Sequence, residues 1–173
     1  MKVIGKRIYL RELTIDDARQ EYCDWLNDAK INQYLITKNS TLEELKKYIQ
    51  KQIDNPNSLF VGMFDKKNGQ HIGNIKLEPI VWKKRKAELG ILIGNKNYWC
   101  KGFGTEAMEL IIDYSCTSLK LDSIELDVST ENKVALKMYE KVGFKIKKTN
   151  KNALSDKGEL TDKIIMEKKM ALY

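Results

Sequence analysis

The sequence predicts a single α/β (α+β) domain over residues 1–173, in which helices pack against a mixed sheet. Helical apolar spacing behind two capping boxes, at Thr14 and Thr41, predicts N-terminal helices. Two apolar runs on either side of the turn DKKNG predict an antiparallel hairpin, and strand and helix patterns alternate from residue 86 onward. A chain of this length can bury a core of its own, so one domain is the simplest arrangement.

The N-terminal half begins with the alternating run RIYLREL, which predicts a first strand at residues 8–13. The capping box of Thr14 and Asp17 precedes a helix whose apolar face carries Ala18, Tyr22, Trp25 and Leu26. A polar connection, LNDAKINQYLITKN, leads to the second capping box, Thr41 with Glu44, and to a helix with apolar residues at 42, 45, 49 and 53. The segment NPNS ends this helix before the hairpin.

The C-terminal half alternates between strands and helices. The run KAELGILIG is apolar over most of its length, which is typical of a strand at the centre of a sheet. A helix (TEAMELIIDYSCTSLK), a strand (SIELDVS) and another helix (NKVALKMYEKV) follow it. A further strand begins at the dipeptide GF, and the turn SDKG leads into a last strand, DKIIMEKKM.

Composition restricts the classes of function. The net charge is +7, and no apolar run approaches the roughly 20 residues needed to span a bilayer. Three scattered cysteines and a single histidine, His71, predict a reducing, cytoplasmic compartment and no metal site. The positive charge is spread out and is not interleaved with aromatic residues, which disfavours nucleic acid as a partner. The charge fits either a polyphosphorylated small molecule or a lysine-rich surface without a ligand.

The stretch YWCKGFGTEA, residues 98–107, predicts a backbone cradle for an anion. Gly102 and Gly104 allow the backbone to approach a ligand, and the helix that follows begins with unpaired N–H groups at the positive end of its dipole. Such an arrangement suits a phosphate or pyrophosphate, and Lys101 adds positive charge. The stretch lacks the GKS or GKT of a P-loop and the glycine spacing of a dinucleotide fingerprint.

This stretch resembles the coenzyme A loop of the GNAT acyl-CoA N-acetyltransferases, in particular the RimJ/RimL-type branch, where YWGKGYGTEA is the usual form. The segment NKVALKMYEKVGF and the N-terminal LRELTIDDA and WLNDAKINQYL extend the resemblance over nearly the whole chain. The resemblance implies a mostly antiparallel sheet of six to seven strands, about four helices and splayed central strands. It also implies a bacterial, acetyl-CoA-dependent enzyme that uses no metal, with cofactor contacts from Ile91, Leu92, Ile93, Trp99, Cys100, Lys101, Gly102, Phe103, Gly104, Thr105 and Asn132.

Two residues are the candidates for catalysis. By resemblance, Tyr139 donates a proton to the departing thiolate, since a phenol with a pKa of about 10 is protonated at neutral pH. Glu88 is the candidate general base and would act through water if it were buried. The alternatives are that Tyr139 is a core aromatic residue, that Asn132 is only a helix N-cap, and that Glu88 is a solvated residue at the sheet.

The acceptor amine is the part of the predicted reaction that the sequence determines least. A polar and aromatic set in the connection between the N-terminal helices is the candidate acceptor site: Trp25, Asn27, Asn32, Gln33 and Tyr34. A similar run occurs in acetyltransferases of amino-sugar nucleotides in surface-glycan pathways, and Lys30 and Lys38 would suit the diphosphate. Alternatively, Trp25 packs in the core and the rest is solvated loop. Two competing functions are N-terminal acetylation of proteins and non-catalytic acyl-CoA sensing. A polyamine is less favoured, because the chain is basic. The expected assembly is a monomer or homodimer.

Overall fold

A single eight-stranded sheet organises the chain. The computed structural model describes residues 1–35, 40–154 and 160–170. The strands are β1 (Lys2–Ile4), β2 (Ile8–Glu12), β3 (Leu59–Asp65), β4 (His71–Val81), β5 (Lys86–Ile93), β6 (Ser123–Ser129), β7 (Lys145–Leu154) and β8 (Leu160–Lys169). The helices are α1 (Gln20–Asn27), α2 (Leu42–Ile53), α3 (Phe103–Thr117) and α4 (Lys133–Lys141). The turn SDKG predicted before the last strand lies outside the described residues.

The strand order is β1-β2-β3-β4-β5-β6-β8-β7, with neighbours antiparallel except for the central pair β5 and β6. That parallel pair is joined only from Lys86 opposite Ser123 to Glu88 opposite Glu125. Beyond Glu88, β5 stays paired with β4, while β6 follows β8, so the two central strands separate. The predicted α/β fold with splayed central strands is confirmed. The sheet has one strand more than the six to seven expected, because β1 is too short to show alternation.

The two predicted capping boxes are both present, with different consequences. Thr41 accepts from the Glu44 amide and Glu44 reaches back to the Thr41 amide, and α2 begins there as predicted. The box of Thr14 and Asp17 instead caps a short 3-10 turn, and α1 begins only at Gln20. Asp17 also binds Arg11 through two hydrogen bonds of 2.7 Å, which ties this turn to β2.

The sheet separates two apolar clusters. One lies against α3 and α4 and includes Ile75, Met108 and Ile124; the other lies against α1 and α2 and includes Trp25 and Ile49. Side chains of a strand alternate between the two faces of a sheet, and β5 shows this directly. Its residues Ala87 and Leu89 are buried in the first cluster, whereas Leu92 packs against the second. Strand β5 therefore contributes to both faces beside the opening between the central strands.

Candidate active site

The N-terminus of α3 is the candidate anion-binding element. Its N-cap is Gly102, with φ of 81°, a left-handed conformation that favours glycine. No side chain caps this helix, whereas the Thr41 side chain caps α2 and Asn132 caps α4. The first N–H groups of a helix have no partner within the helix, so those of α3 are available to an anion at the positive end of its dipole.

The two glycines of this loop, Gly102 and Gly104, differ in what surrounds them. A Cβ on Gly102 would meet only the Arg7 Nη2 atom, at 3.4 Å. A Cβ on Gly104 would lie 2.9 Å from the Met138 Sδ atom and 3.7 Å from the Ile93 Cδ1 atom. Gly104 therefore allows α3 to pack closely against α4 and β5. Gly102, by contrast, faces open space, and the expectation that both glycines let the backbone approach a ligand stays a prediction.

The neighbouring residues give the loop its own shape. Cys100 is exposed and has φ of 54°, a left-handed conformation that favours glycine, the residue usual at this position in the sequences that the loop resembles. The Trp99 indole N–H donates to the Ile93 carbonyl at 2.8 Å, which fixes the loop to the end of β5. The Lys101 ammonium group donates to the Asn97 carbonyl at 2.8 Å. Thr105 follows in the first turn of α3 and is half-buried.

Sequence reasoning missed the residue that links this loop to the start of the chain. The Arg7 side chain donates from Nε to Glu106 at 2.8 Å and from Nη1 to the Lys101 carbonyl at 2.9 Å, and it lies over the Phe103 ring at 4.3 Å. The backbone amides of Arg7 and Ile8 also donate to Glu106. Burial opposes ionisation of Glu106, but these hydrogen bonds outweigh it and hold its pKa below the usual value. The only sequence signal was the glutamate in GTEA.

Tyr139 is a residue of α4, and its side chain lies in the core. Its ring packs on Phe144 at a centroid distance of 5.9 Å, and its side chain belongs to the apolar cluster against which Ile91 and Ile93 pack. Burial, with a contribution from the negative charge of Asp127, raises the Tyr139 pKa well above the usual value for tyrosine. The phenol therefore keeps its proton throughout the neutral range. Burial in the core is also what the structural alternative for this residue requires.

Asn132 acts as an N-cap. Its Oδ1 atom accepts from the Ala135 amide at 3.2 Å at the start of α4. This contact corresponds to the structural alternative for Asn132 and leaves its Nδ2 group for other partners.

An open surface lies on the α2 side of β5. A Cβ on Gly90 would meet no atom within 4 Å. Lys76 stands opposite Gly90 in β4, forms an ion pair with Glu78 at 2.7 Å and donates to the Tyr48 hydroxyl at 2.8 Å. Because directly opposed residues share a face of the sheet, the open space above Gly90 lies beside α2.

Glu88 borders the same open surface. It lies two residues before Gly90, at the last pair that joins β5 to β6, and its side chain is exposed. Within the described part of the chain, Glu88 forms no ion pair, whereas Glu125 on the neighbouring strand pairs with Lys147 at 2.6 Å. The burial that a general base would need is absent at Glu88. What the residue provides is an exposed carboxylate at the point where the central strands separate.

The side chains expected to bind the acceptor divide into two groups. Trp25 is buried, with 6% of its surface exposed, and packs on His71; a Cβ on Gly94 would lie 2.0 Å from its ring. The Asn32 amide is buried and donates to the Leu26 carbonyl at 2.7 Å. Trp25 therefore packs in the core, as the structural alternative states, whereas Asn32 is buried and holds the chain after α1 instead of lying in a solvated loop.

The remaining expected acceptor residues are exposed. The Asn27 amide donates to the Ser40 carbonyl at 2.8 Å, so it connects the end of α1 to the start of α2. Gln33 and Tyr34 are exposed after α1, and Lys38 lies outside the described residues.

No helix in the described ranges is both long and apolar enough to cross a membrane. The family model described as an acetyltransferase (GNAT) domain matches residues 7–145. A relative from Bacillus licheniformis, named uncharacterized N-acetyltransferase p20, is 30% identical over 165 residues, covering 91% of this chain and 89% of its own length. The spermidine N(1)-acetyltransferase of Escherichia coli K12 is 33% identical over 142 residues, covering 80% and 73%.

Among solved structures, the crystal structure of spermidine N-acetyltransferase from Vibrio cholerae in complex with CoA and spermine is similar, with a TM-score of 0.87 and 26% identity. The similarity covers 96% of this chain and 98% of that one. None of these matches assigns the chain to the RimJ/RimL-type branch or to an amino-sugar acceptor. The chain belongs to the GNAT acetyltransferase domain family and is an N-acetyltransferase.

Proposed function

We propose that this N-acetyltransferase transfers the acetyl group of acetyl-CoA to a primary amine of a small polycationic amine such as spermidine. The observation that carries the proposal is the carboxylate of Glu88, which has no ion-pair partner among the described residues and lies beside the open surface above Gly90. This carboxylate is the charge that an approaching ammonium group would meet.

The donor is assigned to the opposite side of β5. The uncapped start of α3 at Gly102 would hold the pyrophosphate of the cofactor. The pantetheine arm would enter the opening beyond Glu88, along the backbone of residues 91–93, which has no strand partner on the β6 side. The remaining residues assigned to the donor are Trp99, Cys100, Lys101, Phe103, Gly104, Thr105 and Asn132.

The proposed reaction needs one acid and one route for a proton. The neutral amine attacks the thioester carbonyl, the new C–N bond forms, and the C–S bond breaks. Tyr139 donates its proton to the departing thiolate, because its raised pKa keeps it protonated in the neutral range. The proton lost by the amine passes to water, and water returns a proton to the Tyr139 phenolate, which completes the cycle. Glu88 serves as the electrostatic partner of the ammonium group and as a water-mediated relay, since its exposure does not suit a buried base.

Local charge, more than net charge, decides the class of acceptor. The net charge of +7 disfavours a cationic substrate at long range, but exposed charges are screened beyond about 8 Å at physiological ionic strength. Near Gly90 the Lys76 charge is neutralised by Glu78, whereas Glu88 has no cationic partner among the described residues. A sugar diphosphate would meet that carboxylate as a repulsive charge. Two of the similar proteins are spermidine acetyltransferases, which also favours a polyamine over a sugar nucleotide.

The test is thiol release from acetyl-CoA with spermidine, UDP-amino sugars and peptides of different N-termini as acceptors. We expect turnover with spermidine, and a loss of about fivefold in kcat/KM for Glu88→Gln, since an exposed ion pair contributes up to about 1 kcal/mol. The matched control is Asp113→Asn, which removes an exposed carboxylate from α3 and should leave kcat/KM unchanged. Turnover confined to peptides or to sugar nucleotides would overturn the acceptor assignment. Binding of acetyl-CoA without turnover of any amine would support a sensor.

A further inference from the structure

We propose that Arg7 is a positioning residue that orients the Lys101–Gly102 peptide for the pyrophosphate of the acetyl donor. The proposal rests on the assignment of this loop to acetyl-CoA. Arg7 lies in the turn between β1 and β2, far in sequence from the loop that it contacts.

The contacts of Arg7 surround Gly102 on both sides along the chain. Its Nη1 atom binds the carbonyl of Lys101, the residue before Gly102, at 2.9 Å. Its guanidinium group lies 4.3 Å from the centroid of the Phe103 ring, the residue after Gly102. Its Nε atom binds Glu106 in the first turn of α3 at 2.8 Å. One planar side chain therefore fixes the loop, the first helical residue and the first turn together.

Peptide geometry converts the Arg7 contact into control of an amide direction. A trans peptide is planar, so its C=O and N–H groups point in opposite directions. Holding the Lys101 carbonyl toward Arg7 directs the Gly102 N–H away from Arg7. Gly102 has φ of 81° and lacks a Cβ, so this peptide could otherwise rotate at low cost. Arg7 therefore selects one orientation of the amide that precedes the helix.

Charge adds a second reason for an arginine at this position. Glu106 is a carboxylate in the first turn of α3, with 12% of its side chain exposed, beside the proposed anion site. Arg7 neutralises it through the ion pair at 2.8 Å. About two fifths of the Arg7 side chain stays exposed, in a cleft that Gly102, Thr105 and Lys141 also line. Without Arg7, the first turn of the helix proposed to bind the phosphates would carry a carboxylate with no cationic partner among the described residues.

The same chain contains a control with almost the same chemistry. Arg11 binds Asp17 through two hydrogen bonds of 2.7 Å, donates to the Glu12 carbonyl at 2.9 Å, and lies 4.0 Å from the centroid of the Phe64 ring. Arg11 therefore contacts a carboxylate, a carbonyl and an aromatic ring, as Arg7 does. Its aromatic partner, however, belongs to the cluster against α1 and α2, away from the loop before α3. The Arg11→Ala variant therefore measures how much an arginine with such contacts contributes to the stability of the fold, apart from any effect on the loop.

The experiment compares two acetyl donors. Acetyl-CoA carries the pyrophosphate, whereas S-acetylpantetheine has the same thioester and lacks it. For Arg7→Ala we expect CoA binding measured by calorimetry to weaken by tenfold or more, and KM for acetyl-CoA to rise accordingly. The kcat/KM for S-acetylpantetheine should stay within twofold of the wild-type value. Arg7→Lys keeps a positive charge for Glu106 but cannot make all three contacts. Its CoA affinity should therefore lie between those of the wild type and Arg7→Ala.

The outcomes separate this proposal from the proposed function. Failure of the wild-type protein to bind CoA would refute the donor assignment before any variant is examined. Wild-type binding with unchanged CoA affinity in both Arg7 variants would overturn the positioning role. Equal losses with both donors would also overturn it, because they indicate a general structural effect. The Arg11→Ala control should lower the denaturation midpoint while leaving CoA affinity unchanged, and Arg7→Lys serves as the test if Arg7→Ala does not fold.

Discussion

Replacement of Tyr139 by Phe tests the proposed acid with little disturbance of the fold. The Tyr139 ring packs on Phe144 and in the core, and phenylalanine keeps that ring. No cavity forms, so the free energy of unfolding should change by less than about 1 kcal/mol. Loss of a general acid lowers turnover by about 10²- to 10⁴-fold, which corresponds to about 2.7–5.5 kcal/mol of transition-state stabilisation.

The Tyr139→Phe assay must separate binding from chemistry. We expect CoA affinity measured by calorimetry to stay within twofold of the wild-type value, while kcat measured by thiol release falls by at least 10²-fold. Tyr114→Phe is the matched control, because Tyr114 lies on α3 and packs against the same apolar cluster. That control should keep wild-type turnover.

Protonation gives a second readout for Tyr139. Burial and Asp127 raise the pKa of the phenol well above its usual value, so the wild-type turnover should show no decline caused by Tyr139 between pH 7 and about pH 10. A kcat for Tyr139→Phe within twofold of the wild-type value would remove Tyr139 from the mechanism and leave it as a core aromatic residue.

Three further changes test the structure. Cys100→Gly should raise the free energy of unfolding by about 0.5–1 kcal/mol in urea titrations, because φ of 54° strains a residue with a Cβ; Cys100→Ala keeps that strain, and an equal gain there would contradict the explanation. Gly73→Ala should cost about 3 kcal/mol or more by the same measurement, since its Cβ would lie 2.2 Å from a backbone oxygen of β5, whereas Gly90→Ala should change stability by less than about 1 kcal/mol. Burial opposes ionisation of Asp17, but hydrogen bonds from Arg11 and Thr14, with the positive charge of Arg11, outweigh it and hold the Asp17 pKa below the usual value. The stabilisation lost in Asp17→Asn, about 2 kcal/mol, should therefore be complete above about pH 5 and disappear as the pH falls through the lowered pKa; a difference independent of pH in urea titrations from pH 2 to 7 would refute this.

Local patterns predicted most of the fold. The capping box at Thr41 and the turn DKKNG act over a few residues, and both structures formed where they were predicted. The box at Thr14 was identified correctly, but it caps a 3-10 turn, because the bond of Asp17 to Arg11 holds that turn against β2. Alternation cannot reveal β1, since three residues are too few to show a period.

The site was harder to predict, because its geometry depends on distant contacts. Arg7 and Glu106 meet across 99 positions of sequence, and no local spacing indicates such a pair. The two glycines of the loop look equivalent in the sequence, yet only the packing of Met138 shows that Gly104 serves helix packing. Trp25 shows the reverse difficulty: a tryptophan in a polar segment resembled a stacking platform and is core.

Strand β5 contributes to both proposed substrate sites, because its alternate residues lie on opposite faces of the sheet. Its odd-numbered positions, such as Leu89, face helices α3 and α4, and its even-numbered positions, such as Glu88 and Gly90, face the surface proposed for the acceptor. Substitutions at even-numbered positions should therefore change the specificity for the amine and leave the shape of the donor side unaltered. A single-residue insertion in β5 would exchange the two sets of side chains and disrupt both sites at once. Under the proposed assignment, point substitutions along one face of β5 would alter the acceptor side alone, whereas a change in strand length would alter both sides.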